Sequence, residues 1–390
     1  MSSRVWDDAF LDGLRQQADP LADGVVAAYF ADLDDHDPSL LFRQVVTRQG
    51  EDATPVVAAY LAQTPDPPPW LDPALLAAGQ ERFARWGPHV FTALYAAALP
   101  SAYACCRGVQ VLGLTARLVT DAKRRLNETA QFHLDVMEAQ GLDVGGRGLS
   151  AVRHVRLMHA AVRWLIAHDA RAEWNPAWGL PINQEDLLET LLTFTEVVFE
   201  VFDKTGVDYE DADAEAYLHV WSYVGWLLGV HPDLLPLSRE DTRALMPEVR
   251  RRQFAPSEAG AVLTAALLDQ GRHVAPPGLK GLPASTIRFY VGDPTADLLS
   301  VPPANWTRHL FGPLARATRL LSLERSRRPT LERLSSRMGL SMLELAVAAD
   351  RGGARAPFSV PTDLAARWGV DVTGAARAGG HGRGRRAGPA

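Results

Sequence analysis

Apolar residues recur at helical spacing along almost the whole chain, and no segment shows the two-residue alternation of a half-buried strand. This pattern predicts an all-α protein with no sheet. The predicted helices lie at about 6–17, 21–32, 37–47, 53–62, 72–83, 87–105, 109–139, 149–168, 184–203, 211–229, 238–250, 256–270, 287–291, 305–327, 330–336 and 340–350. Proline- and glycine-rich breaks between them read as short loops, which favours one large helical domain.

The bulk properties exclude several classes of protein. The 390 residues are 47% hydrophobic, enough for a large core, and the net charge of −6 disfavours nucleic acid as a partner. The two cysteines, Cys105 and Cys106, are adjacent and form neither a disulfide framework nor a Cys-x-x-Cys metal site. No signal peptide and no membrane span are visible, so we expect a monomeric cytoplasmic protein.

The segment 153–165 places a histidine inside an apolar helix face. Val155, Met158, His159, Val162 and Ile166 share that face at helical spacing. A histidine there is either a structural core residue or a ligand to something that the core contains. A single inward histidine fits a haem better than zinc, because zinc needs three or four protein ligands and haem iron needs one axial residue.

The preceding helix, 113–137, also directs polar groups inward. Arg125 and Thr129 interrupt its apolar stripe one turn apart. Burial of an arginine is costly unless a carboxylate, a carbonyl or a ligand receives it. The short glycine-containing connection to the histidine helix predicts an antiparallel pair. Together the two helices indicate a haem pocket. The residues alone do not indicate which reaction or substrate the pocket serves.

Two acidic clusters offer another interpretation. Asp34 and Asp35 lie in a segment that superficially resembles the aspartate-rich Mg²⁺ site of isoprenoid synthases, but we favour a solvated helix end and cap before Pro38. A second cluster runs from Asp208 to Glu215, where carboxylates suit a helix N-terminus. Glu215 and His219 are four residues apart and supply two metal ligands at most.

At the pocket residues the sequence resembles the latex-clearing protein (rubber oxygenase) family and its mpaB-type relatives. The shared motifs are Arg125-x-x-x-Thr129, R-x-M-H-A-A-V-R at 156–163, Gly179-Leu-Pro-Ile-Asn-Gln-Glu-Asp186, the helix 187–202, Tyr217-Leu-His-Val-Trp221 with 225–230, and an N-terminal match from Asp19-Pro-Leu-Ala-Asp23. The resemblance divides the chain into an N-terminal extension (1–18) and a catalytic domain (19–350). A Gly/Arg-rich tail (374–390) follows and is expected to be disordered.

The resemblance implies a globin-like helical core with haem b, which uses O₂ as co-substrate to cleave C=C bonds of a hydrophobic substrate. His159 would be the proximal iron ligand, with Arg125 and Thr129 on the distal side. We assign Met158 and Val162, which share the face of His159, to the haem contacts. Arg156 and Arg163 flank this face and would pair with the haem propionates.

The sequence departs from this family in two ways. Rubber oxygenases carry a lysine directly before the distal threonine, and this chain has Glu128, which becomes a candidate base or a partner of Arg125. The family's catalytic glutamate has no match around 107–117. Because no export signal is visible, we expect an isoprenoid or alkene smaller than polyisoprene. A non-catalytic haem-binding or gas-sensing protein, an Mg²⁺-dependent isoprenoid enzyme and an interaction protein with a structural His159 stay open as alternatives.

Overall fold

The computed structural model describes residues 6–31, 55–62, 66–116, 122–168 and 173–326, and they are helical as predicted. The α-helices are α1 Asp8–Leu14, α2 Pro20–Ala31, α3 Pro55–Ala62, α4 Pro73–Ala93, α5 Leu99–Ala104, α6 Val109–Ala116, α7 Ala122–Met137, α8 Arg147–His168, α9 Gln184–Phe194, α10 Glu196–Thr205, α11 Asp211–Leu227, α12 Arg239–Gln253, α13 Glu258–Val274, α14 Leu282–Val291, α15 Asp293–Leu298 and α16 Phe311–Ser326. Across these ranges there is no β-strand, and an isolated bridge pairs Cys105 with Phe254.

Capping residues fix several helix ends. Asp72 accepts hydrogen bonds from the backbone N–H groups of Ala74 and Leu75, which satisfies two donors that the start of α4 leaves unpaired. Ser238 forms a reciprocal capping box at the start of α12. Gly206 ends α10 in the left-handed region at φ 72°, where glycine carries no Cβ penalty.

Several helix boundaries differ from the sequence-based prediction, and the short helix α15 was not predicted. A break was predicted before Pro88, and α4 instead runs through this proline and continues into a π-helix, Leu94–Ala98. The predicted helix 184–203 is divided at Thr195, whose backbone leaves helical geometry at φ −120° and ψ −80°. The predicted helix 287–291 begins earlier, at Leu282. Local spacing does not reveal these changes because packing against neighbouring helices decides them.

Helices α4 and α11 form the centre of the main core. They approach closely at Gly79, where an added Cβ would lie 2.3 Å from the carbonyl oxygen of Ala216. Large aromatic side chains fill the surrounding space, and Trp86, Phe199 and Tyr217 are at most 1% exposed. A glycine at this crossing allows the two helix backbones to come within contact distance.

The histidine helix α8 lies between two neighbours. Helix α7 packs against it, and residues 138–146 connect the two, with the N–H of Leu149 donating to the carbonyl of Gly141 at 2.9 Å. The short connection and the packing confirm the predicted helix pair. On its other side α8 packs against α2, which covers Leu157, Ala160 and Leu165.

None of the described helices combines the length and apolarity needed to cross a membrane. The predicted helices 37–47, 330–336 and 340–350, the first acidic cluster and the 374–390 tail lie outside the described residues.

Candidate functional site

His159 differs from the two other histidines of α8 in its hydrogen bonding. The Nδ1 atoms of His154 and His168 lie 2.6 Å and 2.7 Å from the carbonyl oxygens four residues back, a local bond that any helical histidine has within reach. Nδ1 of His159 is buried and, within the described residues, has no partner. A buried polar atom without a partner costs about 1–3 kcal/mol, so the burial of this histidine is not explained by a local hydrogen bond.

The imidazole of His159 is held in its neutral form. Burial, reinforced by the positive charge of Arg163, lowers its pKa to about 3. The residue nevertheless keeps some accessible surface, while its Nδ1 is enclosed. A neutral imidazole offers a lone pair to a metal.

The face of α8 around His159 stays outside the packed cores. Val155 and Val162 are buried, at 9% and 8% exposure. Among the described residues, neither belongs to any of the three clusters of packed apolar side chains. Met158 packs instead against the cluster formed with α2. The valines and His159 therefore form an apolar strip whose packing partner is not one of these cores.

The predicted distal residues lie on the neighbouring helix α7. Glu128 is 5% exposed and Thr129 is half-buried. Arg125 belongs to the first turn of α7, and its side chain lies outside the described residues. The packing of α7 on α8 brings the segment of Glu128 and Thr129 to the helix that carries His159.

Arg156 has a protein partner where a haem propionate was predicted. Its Nε and Nη2 atoms donate to the two carboxylate oxygens of Asp19 at 2.6 Å and 2.8 Å, and Nη1 reaches the carbonyl of Leu227 at 3.3 Å. The paired carboxylate is 4% exposed. This two-point ion pair neutralises the guanidinium and links α8 to the start of α2, so the propionate role of Arg156 stays a prediction that these contacts do not favour.

Arg163 is only partly satisfied. Nε donates to Asp23 at 2.7 Å and Nη1 donates to the carbonyl of Ile182 at 3.2 Å. Nη2 is buried without a partner in the described part of the chain, and the side chain is 8% exposed. Ile182 holds its carbonyl there at φ 50°, an unusual backbone conformation for a β-branched residue. One turn from His159, Arg163 keeps a donor for an anionic group.

The second acidic cluster does not form a metal site. Glu215 Oε1 accepts the N–H of Arg239 at 3.1 Å, and His219 Nε2 accepts the N–H of Asp72 at 3.0 Å. Asp213 pairs with Arg82. Over the described ranges no group of three or more His, Cys, Asp or Glu side chains is placed to hold a metal ion. Each residue of the predicted pair thus has a structural partner of its own.

The sequence-based reasoning missed a second buried histidine. His133 lies one turn beyond Thr129 on α7 and is fully buried, and burial lowers its pKa to about 3. Its Nε2 lies 3.3 Å from the Tyr217 hydroxyl, and the rings of Phe83 and Trp221 lie 5.1 Å and 4.9 Å away. The four-residue spacing from Thr129 could have indicated that His133 lies on the same side of α7.

It also missed a buried ionic network at the start of α9. Arg15 donates to Glu185 at 3.0 Å and to Asp186 at 3.1 Å, and burial raises the pKa of Asp186 to about 6. Nearby Glu189 is 4% exposed, and burial raises its pKa well above the usual range. The network joins α1 to the segment 179–186, which the sequence analysis had identified only as a motif.

Comparisons with known proteins identify the family of the chain. The catalytic-domain profile of the ER-bound oxygenase mpaB/B'/rubber oxygenase family matches residues 82–323. A rubber oxygenase of Streptomyces sp. (strain K30) is 32% identical over 156 residues, which are 38% of this chain and 37% of that protein. The match thus spans well under two thirds of this curated relative.

A solved structure, that of a latex clearing protein in its closed state, has a similar fold. It superposes with a TM-score of 0.65 at 23% identity, over 88% of this chain and 92% of that chain. The likeness confirms the all-α fold class that the helical periodicity predicted.

Proposed function

Because the chain belongs to the mpaB/B'/rubber oxygenase family, we propose that it is a haem b-dependent oxygenase that cleaves a C=C bond of a hydrophobic isoprenoid or alkene with O₂. The observation that carries the proposal is the neutral imidazole of His159. It lies between the buried Val155 and Val162 on one face of α8, and within the described residues its Nδ1 has no hydrogen-bond partner. These residues fit a planar, largely apolar cofactor that needs a single axial ligand.

His159 would hold the haem iron. Its low pKa keeps the ring neutral at physiological pH, so no proton has to leave before the nitrogen binds a metal. Val155 and Val162 would flank the macrocycle and keep water away from it. When bound, the haem supplies the redox chemistry that activates O₂.

Arg163 would anchor the anionic edge of the cofactor. Its Nη2 is a buried donor without a partner, whereas Arg156 is occupied by Asp19. Guanidinium and carboxylate groups make strong charge-assisted hydrogen bonds, and a propionate would complete this one. Of the two arginines in the predicted motif, Arg163 is therefore the proposed propionate partner.

On the distal side Glu128 and Thr129 would orient and protonate the reacting groups. Glu128 is nearly enclosed, so a proton that it holds is shielded from bulk water. A carboxylate takes the place where related proteins carry a lysine, so this position would accept as well as donate a proton. Arg125 is proposed to stabilise negative charge that develops on oxygen.

Oxygen uptake with a matched pair of substrates tests the proposal. Haem-loaded protein is incubated with squalene or with its saturated counterpart squalane, and carbonyl products are trapped with a hydrazine reagent. We expect O₂ uptake and aldehyde or ketone products with the alkene alone, and their loss in His159→Ala. A haem-loaded protein that consumes no O₂ with squalene or with shorter and longer isoprenoids would instead identify a non-catalytic haem protein.

A further inference from the structure

Four aromatic side chains lead from the core to the surface. The ring centroids of Trp221 and Tyr217 are 6.5 Å apart, those of Tyr217 and Trp86 are 6.1 Å apart, and those of Trp86 and Tyr209 are 6.4 Å apart. The first three residues are at most 1% exposed, and Tyr209 is half-buried. We call these four residues the aromatic chain. Its successive rings are in near contact, so no step crosses an insulating layer of aliphatic groups.

The inner end of the aromatic chain lies beside the helix that carries the predicted distal residues. His133, on α7, has its ring centroid 4.9 Å from that of Trp221, and its Nε2 is 3.3 Å from the Tyr217 hydroxyl. Since His133 follows Thr129 by one helical turn, the two lie on the same side of α7. The inner end thus contacts the helix that carries Glu128 and Thr129, one turn from Thr129.

Packing alone is a poor explanation for the residue types in this region. Trp86 Nε1 and His133 Nδ1 are buried without hydrogen-bond partners among the described residues. Each unpaired polar atom costs about 1–3 kcal/mol, and a phenylalanine would fill much of the same volume without that cost. Buried tryptophan normally pairs its N–H, and an exception calls for an explanation such as a redox role.

The outer end is arranged to release a proton. The Tyr209 hydroxyl donates to Asp203 Oδ1 at 2.8 Å, in an exposed position. An oxidised phenol is strongly acidic, so a neighbouring carboxylate takes its proton as the electron leaves. Of the four rings, Tyr209 combines solvent access with such an acceptor.

We propose that the aromatic chain carries single oxidising equivalents from the oxygen-reacting site to the surface at Tyr209. The proposal rests on the proposed function, because the one-electron oxidant is a by-product of O₂ reduction at that site. This oxidant takes one electron from Trp221. Tyr217 then reduces Trp221, Trp86 reduces Tyr217, and Tyr209 reduces Trp86.

The electrons and protons balance along the aromatic chain. While Tyr217 is oxidised, its proton moves to His133 Nε2, and it returns when Trp86 supplies the electron. Tyr209 finally loses an electron to Trp86 and its phenol proton to Asp203, which leaves a neutral tyrosyl radical. A small thiol in solution donates a hydrogen atom to that radical and becomes a thiyl radical, and two thiyl radicals from two such events combine to a disulfide. Asp203 releases its proton to solvent. An oxidising equivalent that would otherwise damage the buried site is thereby reduced at the protein surface.

Radical detection in matched variants tests the route. The full chain is loaded with haemin, treated with hydrogen peroxide and frozen for electron paramagnetic resonance, in wild type, Tyr209→Phe, Trp86→Phe and Tyr223→Phe. Tyr223 is a buried tyrosine of α11 outside the aromatic chain and serves as the control. We expect a tyrosyl signal in wild type and Tyr223→Phe, and its loss in Tyr209→Phe and Trp86→Phe. Equal tyrosyl signals in all four proteins would overturn the route.

The apoprotein separates this proposal from the haem assignment. Azide radicals made by pulse radiolysis oxidise tryptophan, and transfer to tyrosine is followed as tryptophanyl absorption decays and tyrosyl absorption rises. We expect a lower tyrosyl yield in Tyr209→Phe and in Trp86→Phe than in Tyr223→Phe. A yield that is equal in the three variants overturns the route whether or not haemin binds, whereas failure to bind haemin contradicts only the proposed function. Thermal unfolding of Trp86→Phe confirms that the variant is folded.

Discussion

At the scale of single residues, the hydrogen bonding of the three histidines of α8 distinguishes His159 from the other two. His154 and His168 use the carbonyl oxygens of their own helix, and His159 does not. The helical spacing placed His159 on the buried face, because an apolar stripe reports burial. Spacing does not report hydrogen bonding, so the contrast between these histidines was not predictable from the sequence.

His133 gives a pH-dependent stability. Its pKa falls from an ordinary value of 6.5 to about 3 in the folded protein. The unfolded chain therefore binds the proton more readily than the folded protein. The free energy of unfolding is consequently highest above pH 6.5 and decreases as the pH falls from 6.5 toward 3. Between pH 7 and pH 5 we expect wild type to lose about 2 kcal/mol more than His133→Phe, at about 1.4 kcal/mol per pH unit.

Urea unfolding of the apoprotein at both pH values measures this difference. The raised pKa of Asp186 works in the opposite direction and is common to both proteins, so it cancels. Identical losses in the two proteins would show that His133 is protonated in the folded state.

Arg163 is expected to recognise the carboxylates of the cofactor. Arg163→Leu removes the unpaired Nη2 donor, and we expect it to weaken haemin binding by about tenfold, the equivalent of one charge-assisted hydrogen bond. Haemin dimethyl ester, which has no free carboxylate, should bind wild type and variant equally. Titration monitored by absorbance makes the comparison, and equal weakening for both ligands would mean that the arginine only supports the local structure.

At the scale of helices, ion pairs and close contacts hold the site together. Asp19 and Asp23, four residues apart at the start of α2, pair with Arg156 and Arg163 of α8. The sequence analysis identified both segments as motifs and assigned the arginines to propionates. The ion pairs between these acids and arginines were not predictable from the sequence, because pairing between distant segments depends on how the helices pack.

The pair between Asp19 and Arg156 should contribute strongly to stability. Asp19→Asn leaves a partly buried guanidinium without its carboxylate, and we expect a loss of about 3 kcal/mol in the free energy of unfolding. The exposed pair between Asp269 and Arg272 is the control, and Asp269→Asn should change stability by less than about 0.5 kcal/mol. Urea denaturation compares the two variants, and a similar small effect in both would count against a structural role for the pair.

The crossing of α4 and α11 should tolerate no side chain at Gly79. An added Cβ would lie 2.3 Å from a backbone carbonyl oxygen, so Gly79→Ala is expected to destabilise the protein by about 1–3 kcal/mol. Gly24, exposed on α2 with no atom within 4 Å of an added Cβ, is the matched control. Alanine there should be neutral or stabilising by up to about 1 kcal/mol. Thermal unfolding distinguishes the two, and a harmless Gly79→Ala would mean that the helices cross less closely.

At the scale of the whole molecule, the described residues form packed apolar clusters and, on α8, an apolar strip that belongs to none of them. Helices α4 and α11 are joined by aromatic packing, and α2 covers one face of α8. Helix α8, which carries His159, packs against α7, which carries Glu128 and Thr129. The helix pattern predicted the fold class and the α7–α8 pair, because both follow from local periodicity and a short connection. The aromatic chain and the ionic network at α9 depend on contacts between distant segments, and no local pattern predicts them.

The central claim is that this strip binds haem b through His159, and a haemin titration tests it most directly. Purified protein is titrated with haemin, its absorption is recorded oxidised and dithionite-reduced, and a pyridine haemochrome assay identifies and counts the haem. We predict a Soret band that saturates at equimolar haem b in wild type and in His168→Ala, and that is lost in His159→Ala. A wild-type protein that stays colourless, or a His159→Ala variant that binds haemin as well as wild type, would contradict the claim.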